Sequence, residues 1–266
     1  WPLPSMAPLA HTLALLAMTV ATVAIEVLPL DMVPDSFDDQ YQGCRDKMIK
    51  ELQNLSRSEF QQNPDFAQGW ENAMNVWRMR GSPVFPPLSS DHSIALLAYT
   101  MKGLYTKFNK AVREAGRSPQ EYRNNFHFKT LHFLLTDALA KLRDKQKPKR
   151  RCVYHRVDGV QFQAQPGSTV RFGHFALTLL CKGEAGEFGM GTTFQVYTQH
   201  GVDIQTFSYY QYKEEVLIPP FETFNVTRVI EDGDKVTIEL NSTGTHSNFN
   251  CEWLRGDAMG RVWGHG

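Results

Sequence analysis

The sequence predicts an α+β protein, with an N-terminal helical lobe packed on a C-terminal β-rich lobe. Three observations carry this. In the first half apolar residues recur at helical spacing, as at Phe66, Trp70, Met74 and Trp77. Beyond residue 151 short β-like runs alternate with turn residues. Between them lies Lys145 to Arg151, Lys-Gln-Lys-Pro-Lys-Arg-Arg, a basic proline-containing stretch that reads as a solvated hinge. Helices followed by strands, rather than alternating with them, define the α+β class.

Taken in order, Trp1 to Ser5 precede Met6 and read as residues upstream of a start. The mostly apolar run from Leu9 to Ile25 is short for a membrane span and ends in small residues. It reads as a signal peptide, residues 1–24 with cleavage near Ala24, against the alternative of a transmembrane anchor. Residues 25–144 form the helical lobe. Its first ten residues are extended and proline-bounded, and a helix is expected from about Gln40 to Ser56. Pro64 suits the first turn of the next helix, whose Phe66–Trp77 stripe reads as core. Gly81 to Pro87 is a loop, and Ile94 to Thr100 is a short apolar run. Leu104, Tyr105, Phe108, Val112 and Ala115 give another amphipathic helix, ended by Gly116. Ser118-Pro119-Gln120-Glu121 is a capping box that opens a helical region reaching about Arg143. After the linker at 145–151 comes the β-rich lobe, 152–253. Strands are expected at Val153–Val157, Ser168–Phe172, Thr192–Thr198, Thr206–Tyr210, Glu214–Ile218, Phe221–Ile230 and Lys235–Leu240. Asp232-Gly233 marks a hairpin between the last two. Residues 254–266 read as a polar tail, without the apolar segment that directs a lipid anchor.

Lys plus Arg and Asp plus Glu both number 28, so formal charge is zero. Such a balance gives no general attraction to nucleic acid or to an anionic membrane. The sequons at Asn54, Asn225 and Asn241 fit an exported glycoprotein. His127 and His132 are five apart, a poor metal spacing on a helix, and no metal is expected. Four cysteines, Cys44, Cys152, Cys181 and Cys251, allow three pairings, and spacing does not choose among them.

The stretch from Lys213 to Phe224 reads Lys-Glu-Glu-Val-Leu-Ile-Pro-Pro-Phe-Glu-Thr-Phe. Alternation along an extended chain puts Lys213, Glu215 and Leu217 on one face. Pro219 and Pro220 end the strand at an edge or bend, where a carboxylate either faces a cleft or belongs to a solvated surface. The stretch resembles the Glu-x-Glu-Val-Leu-Ile-Pro-Pro-Phe-Glu signature of the vertebrate (avian-like) NAD(P)-arginine mono-ADP-ribosyltransferases, secreted or ecto type. The segments Asp35 to Cys44 and Phe126 to Phe133 are similar to that family as well.

The resemblance implies an ADP-ribosyltransferase fold whose β-rich lobe binds NAD or NADP as a consumed substrate. It implies transfer of ADP-ribose to arginine of extracellular proteins, with Glu215 as the catalytic carboxylate. The family's substrate-binding positions fall on His155, Leu177, Leu179 and Lys213, where the family has an arginine, two serines and a glutamate. Arg156, Thr178 and Glu214 lie nearby. Arg156 follows His155 by one residue and so faces the other side of the strand. A neutral histidine makes no bidentate fork to a pyrophosphate, leucine offers no hydroxyl, and a lysine repels a guanidinium. The expectation is a weakened transferase, or else a non-catalytic extracellular module that binds NAD or a protein. The resemblance also pairs Cys44 with Cys251. The family's second bridge lacks its partner here, because Gln199 stands in its place. Cys181 is then either a substitute partner for Cys152 or a free thiol. Location is expected to be secreted, with no stable membrane anchor.

Overall fold

The computed structural model describes residues 25–101, 103–146, 149–181 and 189–260. The expected signal segment lies outside the described residues. Strand β1 (Glu26–Pro29) is followed by helices α1 (Arg45–Gln62), α2 (Pro64–Met79), α3 (Ser90–Thr100), α4 (Leu104–Ala115), α5 (Pro119–Asn125) and α6 (Lys129–Gln146). Next come β2 (Arg151–Asp158), β3 (Val160–Gln163), β4 (Thr169–Val170), β5 (Ala176–Leu180), β6 (Gly191–Thr198), β7 (Val202–Asp203), β8 (Glu215–Ile218), β9 (Glu222–Asp232), β10 (Lys235–Thr245) and helix α7 (Glu252–Gly260). The architecture is α+β.

The helix starts have local causes. Pro64 occupies the first turn of α2, where a missing N–H is harmless, and Asn63 Oδ1 accepts from the Phe66 N–H at 3.1 Å. Ser118 caps α5 likewise, accepting from the Glu121 N–H at 3.0 Å. Helix α1 begins at Arg45 rather than Gln40 because Tyr41 and Gly43 take positive φ, 54° and 77°. Helix α3 is buried on every side from His92 to Thr100, with the apolar run Ile94–Tyr99 at its centre. The helical region from Ser118 to about Arg143 is two helices, α5 and α6, separated at Phe126–Phe128. There Phe126 packs on Phe37, and Phe128 on Phe66 and Phe108.

Among the described residues, eight strands form one mixed sheet in the order β4-β9-β10-β6-β2-β5-β8-β7, and β1 pairs with β3. The Asp232-Gly233 hairpin closes with Lys235 opposite Asp232, Gly233 taking φ 57°. Two strand expectations are corrected. Thr206–Tyr210 is a folded loop, not a strand, and only Thr169–Val170 of Ser168–Phe172 is strand. Alternation along β5 and β8 divides the core. Phe175 and Leu217 join the helical cluster, with Leu177 packed against it, while Ala176, Val216 and Ile218 fill the other face with Val153, Phe172 and Phe194.

The two ends of the described chain meet on the helical lobe. Phe37 stacks on Tyr122 at 3.8 Å and touches Phe249 at 5.1 Å between ring centroids. The buried Asp39 carboxylate accepts from the N–H groups of Tyr41, Cys251 and Glu252 at 2.7, 2.9 and 2.9 Å. It therefore caps α7, a helix that starts at the end of the expected β-rich lobe and runs into the stretch that reads as a polar tail. Cys44 and Cys251 are disulfide-bonded beside this junction. Cys152 and Cys181 form the second bridge, which decides between the two alternatives left open for Cys181. Val153 pairs with Leu180 across β2 and β5, so the next residue out on each strand is a neighbour. The Cys181 N–H donates to the Cys152 carbonyl at 3.0 Å.

Candidate active site

Three adjacent strands, β2, β5 and β8, carry the residues singled out in the sequence, except Lys213 and Glu214, which immediately precede β8. Leu179 lies opposite Glu215, Thr178 opposite Val216, Leu177 opposite Leu217, and Tyr154 opposite Leu179. Paired residues share a face, so Tyr154, Leu179 and Glu215 form one row across three strands. The turn before β5 depends on Gly173, at φ 64°. A Cβ there would meet Val33 at 2.7 Å.

Glu215 is only 3% exposed. Its carboxylate accepts a short hydrogen bond from the Ser208 hydroxyl. Burial raises its pKa above 4.5, opposed first by the Ser208 hydrogen bond and then by the positive charge of Lys213. Ser208 is fixed in turn. Its hydroxyl accepts from the Tyr210 N–H at 3.0 Å, and Arg80 donates through Nη1 to the Ser208 carbonyl and through Nη2 to that of Tyr209, both at 3.0 Å. The Tyr209 N–H donates to Thr100 Oγ1 at 2.9 Å. The loop leading to the candidate catalytic carboxylate is thereby clamped to α3 and to the residue that ends α2. Neither Ser208 nor Arg80 carries a sequence signal, because the contacts that recruit them form only when the loop folds back on the helices.

The other singled-out residues are placed as follows. His155 lies one step past the last β2–β5 pair and is buried among Phe172, His174 and Phe194. Its Nδ1–H donates to the Leu177 carbonyl at 3.0 Å, and burial lowers its pKa, so the ring is neutral. Arg156 is exposed, on the face opposite to His155 and shared with Tyr154. Thr178 is buried and its hydroxyl donates to the Val216 carbonyl at 2.7 Å, so it does not stand in for a serine on the Leu177–Leu179 face. Leu179 is 47% exposed. The Glu214 carbonyl accepts from the Leu180 N–H at 3.1 Å. Lys213 precedes β8 in a tight bend, its ammonium 4.8 Å from the Tyr210 ring centre and 5.9 Å from that of Tyr212.

A helical lobe thus packs on a mixed sheet, and the buried Glu215 opens the strand next to the sheet edge. The chain superposes on the crystal structure of the eukaryotic mono-ADP-ribosyltransferase ART2.2 with a TM-score of 0.71 and 33% identity, covering 84% of this chain and 98% of that one. A mutant of the same protein in complex with NAD matches at a TM-score of 0.72 and 34% identity, with the same coverage of 84% and 98%. The NAD:arginine ADP-ribosyltransferase family model matches residues 30–248, and the chain belongs to that family. It is 47% identical to the erythroblast NAD(P)(+)--arginine ADP-ribosyltransferase of Gallus gallus over 234 residues, 87% of this chain and 78% of that protein. It is 43% identical to the GPI-linked NAD(P)(+)--arginine ADP-ribosyltransferase 1 of Homo sapiens over 248 residues, 86% of this chain and 75% of that protein. Among the described residues, no helix is long and apolar enough to cross a membrane, and no group of three His, Cys, Asp or Glu residues is placed to hold a metal.

Proposed function

We propose that this chain is a mono-ADP-ribosyltransferase that cleaves NAD or NADP, releases nicotinamide, and transfers ADP-ribose to arginine of extracellular proteins, at a reduced rate. Cleavage of the ribose–nicotinamide bond develops positive charge on the sugar, as in glycoside cleavage. A carboxylate beside the ribose stabilises that charge and holds a ribose hydroxyl. The observation that carries the reading is Glu215, buried at the start of β8 and oriented by the Ser208 hydroxyl.

The reduced rate follows from the neighbours. His155, neutral and turned to the face away from Glu215, supplies no charged phosphate contact, a loss of about 1.5–3 kcal/mol. Leu177 and Leu179 supply no hydroxyl to orient the ribose, and Lys213 repels an arginine acceptor. Nicotinamide release and labelling of agmatine from radiolabelled NAD test the reading together. Slow nicotinamide release that Glu215→Gln abolishes supports it. Binding of NAD without any release would instead identify a non-catalytic NAD-binding module, the reading favoured by the two leucines and the neutral histidine. We also place the protein outside the cell. The two disulfides support this. Recovery from the medium or the surface of expressing vertebrate cells, rather than from their cytosol, tests it.

A further inference from the structure

Lys213 does more than obstruct arginine. Its ammonium is held against the rings of Tyr210 and Tyr212; Tyr212 is 77% exposed and Lys213 itself partly exposed, so the cation lies near the surface. The bend is tight. The Lys213 N–H donates to the Tyr210 carbonyl at 2.9 Å, and the Glu215 N–H donates to the Lys213 carbonyl at 2.9 Å. The charge is close enough to Glu215 to act on its ionisation. An acceptor approaching Glu215 therefore meets a fixed positive charge.

We propose that Lys213 makes a carboxylate the preferred ADP-ribose acceptor, so that the main protein product is an ester of an aspartate or glutamate side chain and arginine transfer is the minor reaction. This rests on Glu215 catalysing NAD cleavage. The chemistry balances without a further base. A carboxylate oxygen forms the bond to ribose C1′ as the C1′–nitrogen bond breaks, and the bonding pair moves onto the pyridinium nitrogen to leave neutral nicotinamide. No proton moves, because the acceptor is already ionised at neutral pH. A guanidinium acceptor must instead lose a proton, and an ammonium at position 213 cannot take it. One residue thus attracts the acceptor that needs no base and repels the one that does.

The test uses radiolabelled NAD with two acceptors, agmatine and a glutamate peptide with both ends blocked. The rate of release by neutral hydroxylamine distinguishes the products, since it cleaves the ester much faster than the guanidine adduct. Both the unaltered protein and the Leu177→Ser, Leu179→Ser background are assayed, each with and without Lys213→Glu. With Lys213 present, hydroxylamine-labile label on the peptide should exceed label on agmatine by about 10-fold or more. Lys213→Glu should invert the preference, moving the ratio by roughly 100-fold. Preferential labelling of agmatine with Lys213 in place would overturn the inference while leaving catalysis intact. So would a ratio unmoved by Lys213→Glu, or an effect confined to KM for NAD, which would mean that Lys213 holds a phosphate. If the unaltered protein releases no nicotinamide, the proposed catalysis fails for this chain and the double-substituted background decides the acceptor question. Absence of release in both overturns both readings.

Discussion

Arg171 lies just before the Phe172-Gly173 turn into β5, and its side chain is wholly buried. Its Nη1 donates to Asp38 Oδ2 at 2.6 Å and to the His246 carbonyl at 3.2 Å, and Nη2 donates to the Val33 carbonyl at 3.0 Å. Its Nε donates to the Met32 carbonyl. One guanidinium thus ties both ends of the described chain to the strand that enters the candidate site. Substituting Arg171→Met leaves the Asp38 carboxylate buried, with only the N–H groups of Asn248 and Phe249 as donors near it. Breaking a buried pair from one side costs about 3–5 kcal/mol, because the remaining charge is uncompensated. Three carbonyls that lose their donor add to this, so the expected loss lies at the upper end of that range. It is a large share of the roughly 5–15 kcal/mol that stabilises a typical fold. Asp38→Asn removes the charge and keeps an acceptor for the two N–H groups. The double substitution should therefore cost at least about 1 kcal/mol less than the sum of the singles. Urea unfolding of the oxidised protein, followed by tryptophan fluorescence, measures all three. A loss below about 1 kcal/mol for Arg171→Met, or strict additivity, would refute the argument that this buried charge pair anchors the chain ends.

Other outcomes can be checked alongside it. Nicotinamide release should rise with pH through a midpoint above 4.5, because Glu215 acts ionised and burial raises its pKa. Ser208→Ala removes the hydrogen bond that favours the carboxylate, so it should move the midpoint further up. Burial lowers the pKa of His132 from 6.5 to about 3 while its ring bonds Tyr41 and the Phe37 carbonyl. Between those values the unfolded chain binds the extra proton. Stability from this group is complete above pH 6.5 and falls by up to ~1.4 kcal/mol per pH unit as the pH drops toward 3. Urea midpoints at several pH values should show a shallower acid slope in His132→Gln. The two bridges should differ in worth. Cys44–Cys251 closes a sequence separation of 207 and Cys152–Cys181 one of 29. Chain entropy then assigns them about 5 and 3.5 kcal/mol, and paired Cys→Ser variants compared by urea unfolding should preserve that order.

Much of this protein is determined by local sequence. The Phe66–Trp77 stripe, Pro64 and the Ser118 cap specify helices through contacts that span only a few residues. Asp232-Gly233 marks its hairpin because Gly233 takes positive φ in the two-residue turn Gly233-Asp234 that joins the paired Asp232 and Lys235. The Val-Leu-Ile-Pro-Pro run locates β8 and, with it, Glu215. Tertiary structure decided what depends on residues far apart in the chain. Thr206–Tyr210 alternates like a strand, yet folds as a loop because Arg80 and Thr100 capture its backbone. Helix α7 is capped by Asp39, more than two hundred residues earlier, so no local pattern announces it. Cys181 bonds to Cys152 because β5 lies beside β2 in the sheet, an adjacency that spacing does not encode. His155 and Thr178 look like site residues by position. Strand alternation buries both on the far side of the row that holds Glu215, where their polar atoms are spent on backbone carbonyls. A residue's type is written in the sequence, but the face it presents is set by which strand pairs with which, and that is settled only when distant segments compete to bury their apolar sides.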